Sequence, residues 1–80
     1  MTVADNIGPR ITRVFTQVFG RKVAYRDDLH RKDEPRWTSL KHVEFIIALE
    51  TEFNVRFDGA DATDMVSIAV VSERVRQRLA

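Results

Sequence analysis

The chain has no cysteine. A disulfide framework and a thiolate metal site are both excluded, so any thiol chemistry must come from a group supplied from outside the polypeptide. It also lacks a long apolar run: the most apolar window, Phe45 to Leu49, falls far short of the about 20 residues that cross a bilayer. The opening residues, MTVADNIGPR, carry neither a basic leader nor an apolar signal core. No internal repeat or low-complexity tract is visible; His42 has no second His, Cys or carboxylate at a metal-ligand spacing, and His30 lies far away in a loop. The expectation is a cytoplasmic monomer with no membrane span and no metal centre, in which His42 is a surface residue.

Length sets the next bound. Eighty residues suffice for one domain, here 1–80, and not for two. A chain of this size buries roughly 60% of its surface. That leaves little room for a deep pocket and a catalytic apparatus, so the protein is expected not to be an enzyme. Its 13 basic and 12 acidic residues nearly cancel, but unevenly. From Arg21 to Trp37, Arg21, Lys22, Arg26, Arg31, Lys32 and Arg36 outnumber Asp27, Asp28, Asp33 and Glu34. From Ser39 to Asp64, Glu44, Glu50, Glu52, Asp58, Asp61 and Asp64 face only Lys41 and Arg56. Such asymmetry suggests two surfaces with different partners.

Outside one long loop and a short connector, the apolar spacing is helical. Between Val3 and Phe19, residues Ile7, Ile11, Val14, Phe15 and Val18 form one stripe, with Arg10, Arg13 and Gln17 opposite. Pro9 is tolerable in a first turn, and Gly20 suits the position past a helix end. Residues 21–37 lack periodicity and form a long loop, with Leu29 as its anchor and Val23, Tyr25 and Trp37 partly against the core. A second helix runs from Thr38 or Ser39 to about Phe53. Its apolar face is assigned to Leu40, Val43, Ile46, Ile47, Leu49 and Phe53, with Phe45 off the stripe and half exposed. Asn54 ends it, and Val55 to Phe57 form an extended connector. Asp61 to Met65 make one helical turn. A last helix, capped by Ser67 and running through Leu79, has Ile68, Val71, Val75 and Leu79 as its stripe, while Arg74, Arg76 and Arg78 suit its negative pole. The fold class is all-α: three main helices, one short helix, and a long loop after the first helix.

The head of the second helix, RWTSLKHVE, carries two adjacent hydroxyls. Pro35 discourages helix just before it, and Thr38 or Ser39 can accept the free N–H groups of the first turn. A phosphate esterified to Ser39 would sit at the positive end of that helix, where an exposed anion is favoured by roughly 0.3–1 kcal/mol. Capping is the commoner use of such residues, and periodicity leaves the two roles open.

From Thr38 to Phe53, TSLKHVEFIIALETEF resembles the second helix of acyl carrier proteins, in which an Asp-Ser-Leu triplet opens an apolar helix that ends in acidic residues and Phe. The likeness continues through Val55, Phe57, Met65, Val66, Ser67 and Ile68 without an evident gap. It covers about half the chain in specific residues and the rest in helix order and loop placement. The resemblance implies that Ser39 receives a 4'-phosphopantetheine arm from coenzyme A, attached by a magnesium-dependent phosphopantetheinyl transferase. The thiol of that arm would carry acyl groups as thioesters for acyl-loading and acyl-transferring enzymes of fatty-acid, polyketide or related synthesis. It further implies that Thr38, Leu40, Lys41, Val43 and Glu44 meet those partners, with Glu50 and Glu52 as further acidic contacts. Leu40, Val43, Ile46 and Ile47 would line a space for the acyl chain, a role that ordinary core packing would equally explain.

Three features depart from the family pattern. Thr38 stands where the family has Asp and brings no negative charge to the transferase or its metal. The chain is slightly basic, whereas the family is strongly acidic, which suggests a dedicated partner. Lys41 takes an often acidic or polar position, either near the phosphate of the arm or in water. A peptidyl carrier fits less well, because Arg36-Trp37-Thr38 lacks the Gly-Gly-x-Ser pattern. Two other roles are open: an unmodified carrier-like docking adaptor, and a helical nucleic-acid-binding domain using the basic loop. Against the latter, acids are interleaved with the basic residues, and no helix has a continuous basic face. Nucleic acid is therefore not an expected partner.

Overall fold

The computed structural model describes residues 6–79. Among these, four α-helices follow one another: α1, Ile7–Phe19; α2, Ser39–Phe53; α3, Gly59–Asp64; and α4, Ile68–Leu79. This is the acyl-carrier-like order read from the sequence, with the long loop between α1 and α2. The apolar spacing marked the first helix within Val3 to Phe19; Val3 lies outside the described residues. No helix among them is long and apolar enough to cross a membrane.

Local chemistry sets the helix ends. Gly20 takes a left-handed φ of 81° and returns its N–H to the Thr16 carbonyl, closing α1. Thr38 is extended, and its hydroxyl accepts the N–H of Lys41, making it the cap of α2 and leaving Ser39 as the first helical residue. Asn54 ends α2 at φ 53°, a conformation its short polar side chain tolerates better than most. Asp58 and Asp61 satisfy each other's backbone N–H groups at the head of α3. Ser67 Oγ accepts the N–H of Val70 at 3.3 Å at the start of α4.

Helix α1 buries Ile7, Ile11, Val14, Phe15 and Phe19, and α4 buries Ile68, Val71 and Val75; Val18 and Leu79, read as the last residues of the two stripes, are only partly buried. Helix α2 requires a correction. It buries His42, Phe45, Ile46, Leu49 and Phe53, and leaves Leu40, Val43 and Ile47 exposed at 69%, 55% and 56%. The helix is apolar on two nearly opposite faces, and both have helical spacing. The inner face is the one whose rings find partners: Phe45 lies 5.7 Å from Phe15, 5.6 Å from Phe19 and 5.8 Å from Trp37 in edge-on contacts. Phe45 is therefore fully buried rather than half exposed, and three of the four residues expected to line an acyl space face outward.

The long loop is tied to the bundle by side chains and by one backbone bridge. Val23, Leu29 and Trp37 are buried. An antiparallel bridge pairs His30 with Ser67: Arg31 N–H donates to the Val66 carbonyl at 2.7 Å and Ile68 N–H to the Leu29 carbonyl at 3.0 Å. A single 3-10 turn, Arg31–Asp33, follows. The loop thus reaches the α3–α4 connection and returns to the head of α2.

Asp61 is the chief buried charge. Arg74 and Arg78 of α4 both hold its carboxylate, Arg74 at 2.7 Å, so these arginines bind α3 to α4 instead of serving only the helix pole. Burial by itself would raise the Asp61 carboxyl. Hydrogen bonds from Arg74, from the Asp58 N–H and from Arg78, with the Arg78 charge, more than offset this and lower it from 3.8 to about 2. Because the folded-state value is depressed, the ionised pair contributes its full stability above the unfolded value and loses it as pH falls through about 2. Asp61→Asn is expected to be less stable than the parent at neutral pH and to lose less stability between about pH 5 and pH 2. Urea unfolding at several pH values measures both slopes; identical slopes would show that Asp61 carries no such linkage.

Candidate functional site

The site is built at the head of α2. Thr38 caps the helix, so Ser39 falls in the first turn with its side chain exposed. Its hydroxyl oxygen accepts a hydrogen bond from Arg31 at 3.1 Å. Arg31 is in turn fixed by donating from Nε to the Trp37 carbonyl at 3.0 Å. Beside this pair runs an open groove of about 310 Å³, lined by Arg31, Ser39, His42, Val43, Ala62 and Thr63. The groove lies between α2 and α3, and α3 is held in place by the Asp61 cluster.

His42 forms the inner wall and corrects its expected surface position: it is 8% exposed. Trp37 Nε1 stands 3.0 Å from His42 Nδ1, and His42 Nε2 stands 2.7 Å from the Ala62 carbonyl. An indole nitrogen only donates, so Nδ1 must accept, and the ring hydrogen sits on Nε2 and is given to Ala62. One neutral imidazole therefore joins the loop, α2 and α3 around the groove. His42→Leu removes the acceptor of a buried indole N–H and the donor to a carbonyl. An expected cost of about 1–3 kcal/mol should appear as a lower urea midpoint, together with a blue or red shift of the Trp37 emission as α3 loosens. An unchanged midpoint would contradict this bridging role.

The other site residues divide between the inner and outer sides of α2. Leu40, Val43 and Ile47 are the exposed large aliphatic side chains among the described residues, and all three share one face of α2. Glu44 is exposed beside them. Lys41 turns back across the bundle, donating to the Val18 carbonyl near the end of α1 at 3.1 Å and to Glu44 at 3.3 Å. Its ammonium is thus turned to the carbonyl end of α1, whose last carbonyls need donors, with the side chain still partly in water. Ile46, at 8% exposure, packs into the core.

Two acidic residues named as partner contacts are already engaged. Glu52 receives Arg10 Nε and Arg13, each at 2.8 Å, and these hydrogen bonds lower its carboxyl. Arg10 also covers the Phe53 ring at 4.4 Å, so this cluster fastens α1 to the end of α2. Glu50 accepts the N–H of Phe57 at 2.9 Å and shapes the connector. No group of three or more metal-ligating side chains occurs among the described residues.

Sequence reasoning missed Arg31 and His42. Arg31 looked like one of six loop cations, and nothing in its spacing marks it as the one that returns to Ser39. His42 carried a weak signal, lying five residues from the single Trp, but only folding brings the two rings together. Comparison with protein-family models, curated proteins and solved structures found no match.

Proposed function

We propose that this protein is a non-catalytic carrier of the acyl-carrier type, bearing a 4'-phosphopantetheine arm on Ser39. The observation that carries this reading is the setting of one hydroxyl: Ser39 is exposed in the first turn of α2, touches a guanidinium and borders an open groove. The residues fit the arm chemically. The hydroxyl can form the ester, Arg31 offers positive charge to the phosphate, and the groove gives the first atoms of the arm a surface to lie on. When attached, the arm would supply the thiol that the polypeptide lacks.

The outer face of α2 suits partner enzymes. Leu40 follows the attachment residue directly, and Val43 and Ile47 continue upward along the helix, so an enzyme reaching the arm meets an apolar strip first. Glu44 beside it can orient the encounter, as exposed charges do, more than strengthen it. The space for an acyl chain is proposed along the groove at Val43 rather than beneath Leu40 and Ile47.

The test is direct. Incubate the purified chain with coenzyme A, magnesium and a broad-specificity phosphopantetheinyl transferase, then record the intact mass. A gain of one phosphopantetheine supports the carrier. A chain left bare by several transferases, including those of its native host, supports the docking adaptor instead. Thr38, which brings no carboxylate to the transferase, is the feature that favours the adaptor.

A further inference from the structure

Arg31 differs from the arginines that hold the bundle together. Arg10, Arg13, Arg74 and Arg78 each have a carboxylate partner on another helix, whereas Arg26 pairs only with Asp28 inside the loop. Arg31 forms no ion pair among the described residues. Its two side-chain hydrogen bonds go to neutral acceptors, the Trp37 carbonyl and the Ser39 hydroxyl. Glu34, close by in the loop, has its carboxylate on the Arg36 N–H at 2.9 Å. A half-buried guanidinium is thus held without a counter-charge, and it points at the one hydroxyl proposed to receive a phosphate.

Its position is determined by the fold. The bridge at His30 and Ser67 fixes the Arg31 backbone through its N–H, which donates to the Val66 carbonyl, and the bond from Nε to the Trp37 carbonyl fixes the side chain. Two of its five N–H donors are used in these side-chain contacts, leaving three for another acceptor. Hydrogen bonds between a guanidinium and a phosphate oxygen are roughly twice as strong as those to neutral oxygens. Replacing the hydroxyl by a phosphate ester offers Arg31 a better acceptor at almost the same place.

We infer that Arg31 is the positioning residue for the phosphate of a group carried on Ser39, holding the root of the arm against the groove of His42, Val43, Ala62 and Thr63. The inference rests on the carrier reading. It also gives Thr38 a consequence: the head of α2 presents a cation and no carboxylate, so the site draws the anionic donor to itself and leaves the metal to the transferase.

The clamp can be examined without any transferase. Place phosphoserine at position 39 by semisynthesis and follow its phosphorus resonance as pH is varied, in the parent, in Arg31→Gln and in Arg31→Lys. A nearby cation favours the dianion, so the parent should titrate at least about half a pH unit below Arg31→Gln, with Arg31→Lys between them. The gap should shrink in high salt. In parallel, the three unphosphorylated chains are loaded by a transferase and timed by mass; Arg31→Gln should load several-fold more slowly and Arg31→Lys should recover part of the rate. Helical circular dichroism checks that each chain is folded, and Arg31→Lys serves as the comparison if Arg31→Gln is not. Loading of the parent combined with equal midpoints in all three chains overturns the clamp and leaves the carrier standing. A parent that no transferase loads overturns the carrier reading, and the clamp with it, whatever the phosphorus signal does.

Discussion

Under the proposed carrier function, Ser39→Ala is expected to abolish phosphopantetheine loading completely while leaving the fold intact. The two halves of that statement have separate causes. Loading ends because the ester needs this oxygen, and a methyl group offers none. The fold survives because Ser39 is exposed, Thr38 supplies the cap, and the only side-chain bond lost among the described residues is the one from Arg31. Surface changes of this kind are usually within about 0.5 kcal/mol. Intact mass after incubation with transferase reads the first half, and urea unfolding reads the second. Other hydroxyls give useful controls: Ser67 and Ser72 are half buried, so alanine at Ser72 should leave loading at the parent level. Loading of Ser39→Ala at the parent rate would move the attachment point elsewhere and remove the reason for the proposed groove.

The second large effect is in the core. Phe45→Ala is expected to cost about 3–5 kcal/mol, a large part of the 5–15 kcal/mol that typically holds a small domain together. Its ring is fully buried among Phe15, Phe19 and Trp37, so truncation opens a cavity at the junction of α1, α2 and the loop. The matched comparison lies on the same helix. Leu40→Ala and Ile47→Ala, each more than half exposed, should change stability by no more than about 0.5 kcal/mol. Denaturant unfolding of the three variants therefore reports which way α2 faces. If Leu40→Ala proved the damaging change and Phe45→Ala the mild one, the helix would be rotated and the exposed apolar strip proposed for partners would vanish. Should the carrier reading hold, Leu40→Ala and Ile47→Ala are also the variants in which transfer to partner enzymes can fall without loss of fold.

The helices and their ends were legible because their causes are local. A stripe at helical spacing, a hydroxyl after Pro35, Gly20 past the last turn and Asn54 in the left-handed region all act within a few residues of themselves. That is enough to give an all-α chain with one long loop, and to put Ser39 at the head of a helix. The facing of α2 is not a local matter. Two apolar faces fit its periodicity equally, and the choice depends on whether Phe15, Phe19 and Trp37 are there to receive Phe45. The same holds for the loop, whose six cations look alike until the His30–Ser67 bridge singles out Arg31.

By itself, then, the sequence determined which segments coil, where they stop, and that a hydroxyl opens the longest of them, since each depends on neighbours in the chain. Tertiary structure alone decided that His42 is an internal bridge, that Asp61 is gripped by two arginines, and that a guanidinium without a counter-charge rests on Ser39. Those outcomes depend on groups far apart in the chain meeting across packed helices. Burial and pairing are properties of the assembled core, and no spacing pattern records them.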